Sequence, residues 1–234
     1  MSQAIRTMFE RIAPTYDVLN RTLSLGVDKL WRRQAVATLG DLSGKRVLDL
    51  CAGTMDLTAV ACARYPTARV VAADFAREML LGGLASGKLS SPTVSVLPIQ
   101  ADALSLPFLG GTFDAALCAF GVRNLDNPEG GLLELHRVLA PGGKLVVLEF
   151  FRPTGTVRKL LHNIYNRHVV PAIGGIVSGS PGAYRYLAES MEGFLSRAEF
   201  EQSGRRCGFV VDEARDLFPH AASLVVLRKD AAPC

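Results

Sequence analysis

No C-x-x-C pair and no His–Cys cluster occurs among the five cysteines (Cys51, Cys62, Cys118, Cys207 and Cys234), so no metal-ligand or disulfide framework is encoded. The thiols are expected to be free and mostly buried. Cys51 reads as a small core residue, with a redox liability as the alternative. No apolar run approaches the roughly 20 residues of a membrane span, and no signal peptide opens the chain; the expectation is a cytoplasmic protein. Charge of neither sign is in large excess. The formal net charge of +4 does not by itself argue for a nucleic-acid partner, and none is expected. Internal repeats and low-complexity linkers are also missing. With 234 residues, 49% of them hydrophobic, the chain fits one α/β domain with a full core and a modest appendage.

The informative stretch is VLDLCAGTMDLT at 47–58. A short apolar run reaches Asp49, turns through Ala52-Gly53-Thr54, and opens onto a helical pattern at Asp56. A second apolar run, RVVAAD, closes at Asp74 about one βαβ repeat later. Glycine in such a turn lets a ligand approach the backbone, and an acid ending the second strand can accept hydrogen bonds from a ribose diol. Together they imply a nucleoside-bearing cofactor. A dinucleotide would favour G-x-G-x-x-G, whose helix N-terminus takes a pyrophosphate. Here the series runs Gly53, Met55, Thr58, so two glycines are missing. Asp49 and Asp56 add negative charge, which suits the cationic sulfonium of S-adenosylmethionine and opposes a pyrophosphate. The alternative reading makes Gly53 a plain tight turn and Asp49 and Asp74 solvated strand ends.

The surrounding pattern predicts strands at 45–51, 69–74, 94–99, 113–119 and 143–150, with helices at 56–65, 76–86 and 128–139. Such alternation gives a mostly parallel sheet covered on both faces. Residues 4–39 read as helical, broken at Asn20 to Gly26. Pro141-Gly142-Gly143 marks a turn. Residues 151–195 interrupt the alternation after a strand end, where ligands bind in open α/β sheets. A helix at 196–206 and strands at 208–214 and 221–228 follow. The last two strands are linked through Pro219-His220, too short for a crossover helix, so they should pair antiparallel.

This order of elements resembles the S-adenosylmethionine-dependent methyltransferase fold. The segments YDVLNRTLSLGVDKLW (16–31), FGVRNL (120–125), PGGKLVVLEFFRP (141–153) and AYRYLAES (183–190) are similar to those of the ubiquinone/menaquinone biosynthesis C-methyltransferases, over about Met8 to Leu227. The resemblance implies a doubly wound, Rossmann-like α/β fold with a seven-stranded, mostly parallel sheet whose last strand is antiparallel. It also implies a helical lid at 1–40, a cofactor-binding core at 41–150, a substrate-covering insertion at 151–195 and a C-terminal helix and strand pair at 196–234. The implied activity is C-methylation of a reduced polyprenyl quinol ring, demethylmenaquinol first among them. The alternatives are methylation of a soluble small aromatic, a nicotinamide oxidoreductase and a non-catalytic cofactor-binding protein. Met55 stands where the family usually has glycine, Asp28 where it often has histidine, Ala119 where serine is common, and Asp102 where asparagine is frequent.

On that resemblance, Asp49, Gly53, Thr54, Thr58, Asp74, Asp102 and Ala103 hold the cofactor, and Arg123, Asn124 and Tyr184 serve catalysis; no metal is needed because the sulfonium methyl is already activated. Thr58 could instead bond its own backbone, and Asp102 could cap a turn. Arg123 would steady a developing phenolate or activate a water. It could instead pair with Asp17, Asp126 or another loop acid. Tyr16, Asp17 and Asn20 in the lid, and Tyr184, Arg185 and Tyr186 in the insertion, are expected to bracket the ring. His162 or His168 could accept a proton. Residues 157–176 mix Arg158, Lys159 and Arg167 with apolar side chains and could touch a membrane surface transiently, placing the protein at the inner face of the plasma membrane. They could equally be an ordinary amphipathic cover. A homodimer is compatible with all of this.

Overall fold

The computed structural model describes residues 3–13, 16–24, 26–89, 95–155, 186, 189–219 and 221–231. Three N-terminal helices, α1 (Gln3–Ile12), α2 (Tyr16–Leu23) and α3 (Asp28–Thr38), precede the sheet. Then β1 (Arg46–Leu50), α4 (Asp56–Arg64), β2 (Arg69–Asp74), α5 (Arg77–Ala85), β3 (Ser95–Gln100) and β4 (Phe113–Ala119) alternate. The chain continues with α6 (Pro128–Val138), β5 (Leu139–Glu149), α7 (Arg197–Arg206), β6 (Phe209–Asp216) and β7 (Ser223–Lys229).

The seven strands form one sheet in the order β3-β2-β1-β4-β5-β7-β6. β1 pairs parallel with both β2 and β4, and β7 runs antiparallel to β5 and β6. The order reverses between β1 and β4, so a crevice opens at their carboxyl ends. Period-two alternation along the strands separates two apolar layers. Leu48, Leu50, Cys118 and Val147 face one layer, closed by Leu132 and Leu135 of α6 and Phe200 of α7. Val47, Leu117, Val146 and Leu148 face the other, closed by Trp31 and Val36 of α3 and by Leu57 and Ala61 of α4.

Local signals set the ends of the helices. Asn127 caps α6 by accepting from the Gly130 amide at 2.9 Å, with Pro128 in the first turn. Ser196 and Glu199 form a reciprocal capping box at the start of α7. Two expectations need correction. The break placed at Asn20 to Gly26 begins later, because α2 continues to Leu23. Gly26, at φ +78°, ends it, with its amide bonded to the Arg21 carbonyl at 2.8 Å. The turn at Pro141-Gly142-Gly143 lies inside β5 as an irregularity. Phe113 registers with Leu139 and Ala115 with Lys144, so the surplus residues are looped out.

Candidate active site

A cleft open to solvent lies at the carboxyl ends of β1, β2 and β4. Gly53, Asp74, Asp102 and Ala103 line it, together with Phe9, Tyr16, Phe120 and Asn124. Three residues here take left-handed backbone angles without being glycine: Cys51 at φ 56°, Met55 at 62° and Phe120 at 57°. Backbone strain gathered at one sheet edge is typical of a site that holds a ligand.

The glycine turn and the strand-end acid form one device. Asp74 accepts from the Gly53 amide through Oδ2 and from the Ala76 amide through Oδ1, each at 2.8 Å. It thereby fixes the loop while lining the cleft. Burial raises its carboxyl above the ordinary range, opposed by the amides of Ala76 and Gly53. Asp49 sits just behind, and burial pushes it up to about 7. Thr58 donates its hydroxyl to Asp49 Oδ2 at 2.5 Å and is fully buried. Neither Asp49, Thr54 nor Thr58 is among the residues lining the cleft. The Thr58 hydroxyl thus meets Asp49. Asp102 lines the cleft and also closes a turn, accepting from the Leu104 amide at 3.0 Å through Oδ1.

Met55 points away from the cleft. Its side chain is fully buried with Ala72 and Leu80. The room comes from Gly83 on α5, where a Cβ would lie 2.8 Å from the Thr54 carbonyl oxygen and 3.0 Å from Met55 Cγ. The loop thus keeps a glycine-like path with a methionine in it. Ala119 does line the cleft, so the absent serine hydroxyl is an absence in the wall itself. Asp28 ion-pairs with Arg32, whose guanidinium also reaches Asp56 at 3.6 Å and lies over the Phe120 ring.

Arg123 pairs with Glu149, not with Asp17 or Asp126. Its Nη1 donates to Glu149 Oε1 at 2.6 Å and to the Phe120 carbonyl at 2.7 Å. The two side chains are 4% and 0% exposed. Arg123 is absent from the lining, and its neighbour Asn124 is present in it. Asn124 Oδ1 accepts from the Tyr186 hydroxyl at 2.9 Å, and its Nδ2 donates to the Phe120 carbonyl at 3.2 Å. Burial raises the Tyr186 phenol, so it is a donor rather than a ready base. Phe9 packs edge-on against both Tyr16 and Tyr186, at centroid distances of 6.0 and 6.5 Å. Tyr184, Arg185, His162, His168 and all of 157–176 lie outside the described residues, as does the side chain of Asn20.

Sequence reasoning missed two members of this arrangement. Glu149 carried the same signal as Asp49 and Asp74, an acid ending an apolar run. Lys88 carried none. It joins the N-terminal helices to the cofactor loop by ion-pairing with Asp17 and with Asp56 (2.6 Å), while also donating to the Thr54 carbonyl at 3.2 Å. Asp17 in turn accepts from the Thr54 hydroxyl.

The lining favours a cationic ligand. Asp74 and Asp102 are part of the wall, and no lysine or arginine is among the described lining residues. The nearby cations Arg32, Lys88 and Arg123 are each committed to carboxylates. A pyrophosphate would meet uncompensated negative charge here, whereas a sulfonium and an ammonium would be attracted.

Residues 1–222 match the family model described as the ubiE/COQ5 methyltransferase family. The demethylmenaquinone methyltransferase of Thermus thermophilus is 48% identical over 204 residues, covering 87% of this chain and 92% of the relative. The ubiquinone/menaquinone biosynthesis C-methyltransferase UbiE of Syntrophotalea carbinolica is 45% identical over 208 residues, covering 87% and 86%. Among solved structures, the [4+2]-cyclase SpnF superposes with a TM-score of 0.73 at 16% identity, covering 99% of this chain and 97% of that one. A SAM-dependent methyltransferase from Aquifex aeolicus gives 0.60 at 18% identity, covering 84% and 88%; at these identities the likeness speaks to the fold. The chain belongs to the ubiE/COQ5 methyltransferase family and is an S-adenosylmethionine-dependent methyltransferase.

Proposed function

We propose that this member of the ubiE/COQ5 methyltransferase family methylates a ring carbon of a reduced polyprenyl quinol, converting a demethylmenaquinol to the menaquinol. The observation that carries the reading is the cleft itself, whose lining combines the carboxylates of Asp74 and Asp102 with the aromatic rings of Phe9, Tyr16 and Phe120 and the amide of Asn124. It is supported by relatives named demethylmenaquinone methyltransferase in Thermus thermophilus and Deinococcus radiodurans.

In this reading Gly53, Asp74, Asp102 and Ala103 hold the donor, while Asp49, Thr54 and Thr58 shape its loop from behind. The donor supplies an electrophilic methyl. The chain's own residues orient the ring, exclude water and favour the reactive ionisation of the ring. Quinols attack as phenolate-like carbons, and oxidised quinones are electron-poor, so the ring must bind reduced. Asn124 lines the cleft and spends one amide N–H on the Phe120 carbonyl; in this reading its second N–H donates to a ring oxygen. Arg123 acts through Asn124 and the Phe120 carbonyl as a positioning residue, its charge moderated by Glu149. Phe9, Tyr16 and Phe120 stack around the ring and keep the path in line. The helices α1 and α2 form a lid, held down by Asp17 and Lys88.

A polyprenyl tail resides in a bilayer, so the enzyme works at a membrane surface, peripherally at the inner face. No helix of the described residues is long and apolar enough to cross a membrane. The test is transfer of labelled methyl into a panel of short-chain demethylnaphthoquinols and demethylbenzoquinols, kept reduced with dithionite, and of soluble phenolic aromatics without a prenyl tail. Label in the ring carbon of a naphthoquinol supports the reading. Label entering only soluble aromatics would replace it with a small-molecule methyltransferase.

A further inference from the structure

We propose that Cys51 and Cys118 form a redox-sensitive pair in the cleft wall, which a quinone ring, the oxidised form of the proposed substrate class, closes to a disulfide that shuts off donor binding. The inference rests on the reading of this cleft as a quinol site.

Strand alternation alone would separate these two thiols. Leu50 and Cys118 are register partners and share one apolar layer, so the next residue of β1 should face the other layer. Cys51 does not, because its φ of 56° ends the strand and turns the side chain back onto the Cys118 layer. Gly121 marks the meeting point. A Cβ there would lie 2.3 Å from Cys51 Cβ, 2.8 Å from Cys51 Sγ and 3.2 Å from Cys118 Sγ. Both sulfurs therefore face one spot that any side chain would block. Diagonal neighbours on adjacent strands sit roughly 6 Å apart between Cα atoms, given a strand spacing of about 4.8 Å and a rise of about 3.3 Å, which suits a disulfide. Cys51 also lines the cleft, so a bound ring can reach it. Cys62 belongs to the opposite layer, and Cys207 lies at the end of α7.

The step balances without a further reactant. Two S–H bonds break and one S–S bond forms. The two electrons and two protons released pass to the quinone, which leaves as the hydroquinone. In the reduced enzyme the hydrogen bond between the thiols, and then burial, hold Cys51 well above its ordinary range, so the pair stays as two thiols until an oxidising ring is held against it. The loop hangs directly on Cys51, with the Ala52 amide bonded to the Ala73 carbonyl at 3.1 Å and the Gly53 amide to Asp74 at 2.8 Å. Drawing Cys51 toward Cys118 displaces both contacts. An enzyme that needs a reduced ring would thus stop when the ring pool is oxidised.

The probe is tetramethyl-1,4-benzoquinone, which accepts electrons and has no open ring carbon for a thiol to add to. The full chain is incubated with it anaerobically. It is then digested without reductant for mass spectrometry, and its titration with S-adenosylmethionine is followed by calorimetry. The expected result is a loss of two hydrogens, a linked Cys51–Cys118 peptide, and donor affinity at least tenfold weaker, restored by dithiothreitol. Cys118→Ala should neither link nor lose affinity on quinone treatment. Unchanged thiols, a link between other cysteines, or a Cys51–Cys118 link with undiminished donor affinity would each overturn the proposal. These readouts need no methyl transfer, so they can fail while the quinol activity stands, and the reverse.

Discussion

The amide of Gly53 donates to Oδ2 of Asp74 at 2.8 Å, across the gap between the carboxyl ends of β1 and β2. The same carboxylate holds the Ala76 amide at the start of α5 through its other oxygen. One side chain therefore sets the loop that faces the donor and the helix entry beside it.

Replacing Asp74 with alanine strips both amides of their acceptor. Each buried unsatisfied donor costs about 1–3 kcal/mol, so the variant should unfold at markedly lower urea. Donor affinity should fall about 100-fold, because the loop path and the ribose acceptor are lost together. Urea melts and calorimetric titration check the two effects separately. A wild-type donor isotherm from a folded Asp74→Ala would remove Asp74 from the donor site.

Asp49 gives a pH dependence with a definite sign. Its carboxyl stands at about 7 in the fold against an ordinary 3.8, so its contribution to stability is full below about pH 4 and is lost as pH rises through 7. Asp74 is shifted the same way, by burial. A cationic donor prefers the ionised carboxylate, so its binding releases a proton. Donor affinity should rise up to about tenfold per pH unit below 7 and then level off. Asp49→Asn should make both profiles shallower, leaving the part that Asp74 carries, as read by thermal melts and titrations from pH 5 to 8. An unaltered slope in Asp49→Asn would assign the titration elsewhere.

The buried pair of Arg123 and Glu149 separates stability from catalysis. Glu149→Ala leaves a guanidinium buried without its partner and should cost about 3–5 kcal/mol of stability. Arg123→Lys keeps the charge but replaces the planar guanidinium, whose Nη1 donates to both Glu149 and the Phe120 carbonyl, by a differently placed ammonium. It should lower kcat at least tenfold with donor binding little changed, since Arg123 is absent from the cleft lining and its neighbour Asn124 is present in it. If both kcat and donor binding of Arg123→Ala and Arg123→Lys stay near wild type, Arg123 has no part in the reaction.

Met55→Gly tests where the methionine points. Removing a buried methionine should cost about 2–5 kcal/mol through burial and cavity terms, less about 1–2 kcal/mol recovered by relieving a left-handed backbone. The net effect is a loss of stability. Because the side chain packs on Ala72 and Leu80, donor affinity should change less than threefold. A large gain in affinity would mean that Met55 obstructs the cleft.

Strand and helix positions from Arg46 to Lys229 were legible in the sequence because each apolar run is bounded by a turn residue or a cap, as at Gly53, Asn127 and Ser196. The antiparallel return of β7 followed from the short link through Pro219. Gly53, Asp74 and Asn124 were legible as wall residues because strand ends at a reversal of sheet order converge on one crevice, whereas Asp102 and Ala103 were implied by the family resemblance. Tertiary structure alone decided what stands behind that wall. Thr58 turns to Asp49, Arg123 to Glu149 and Lys88 to Asp17 and Asp56, pairings of residues up to 71 apart in the chain. No local period encodes such partners, because a buried charge takes whichever counter-charge the packing of distant elements delivers. The reach of Cys51 toward Cys118 is the same kind of fact, since a single left-handed residue overrode the alternation that the strand pattern implies.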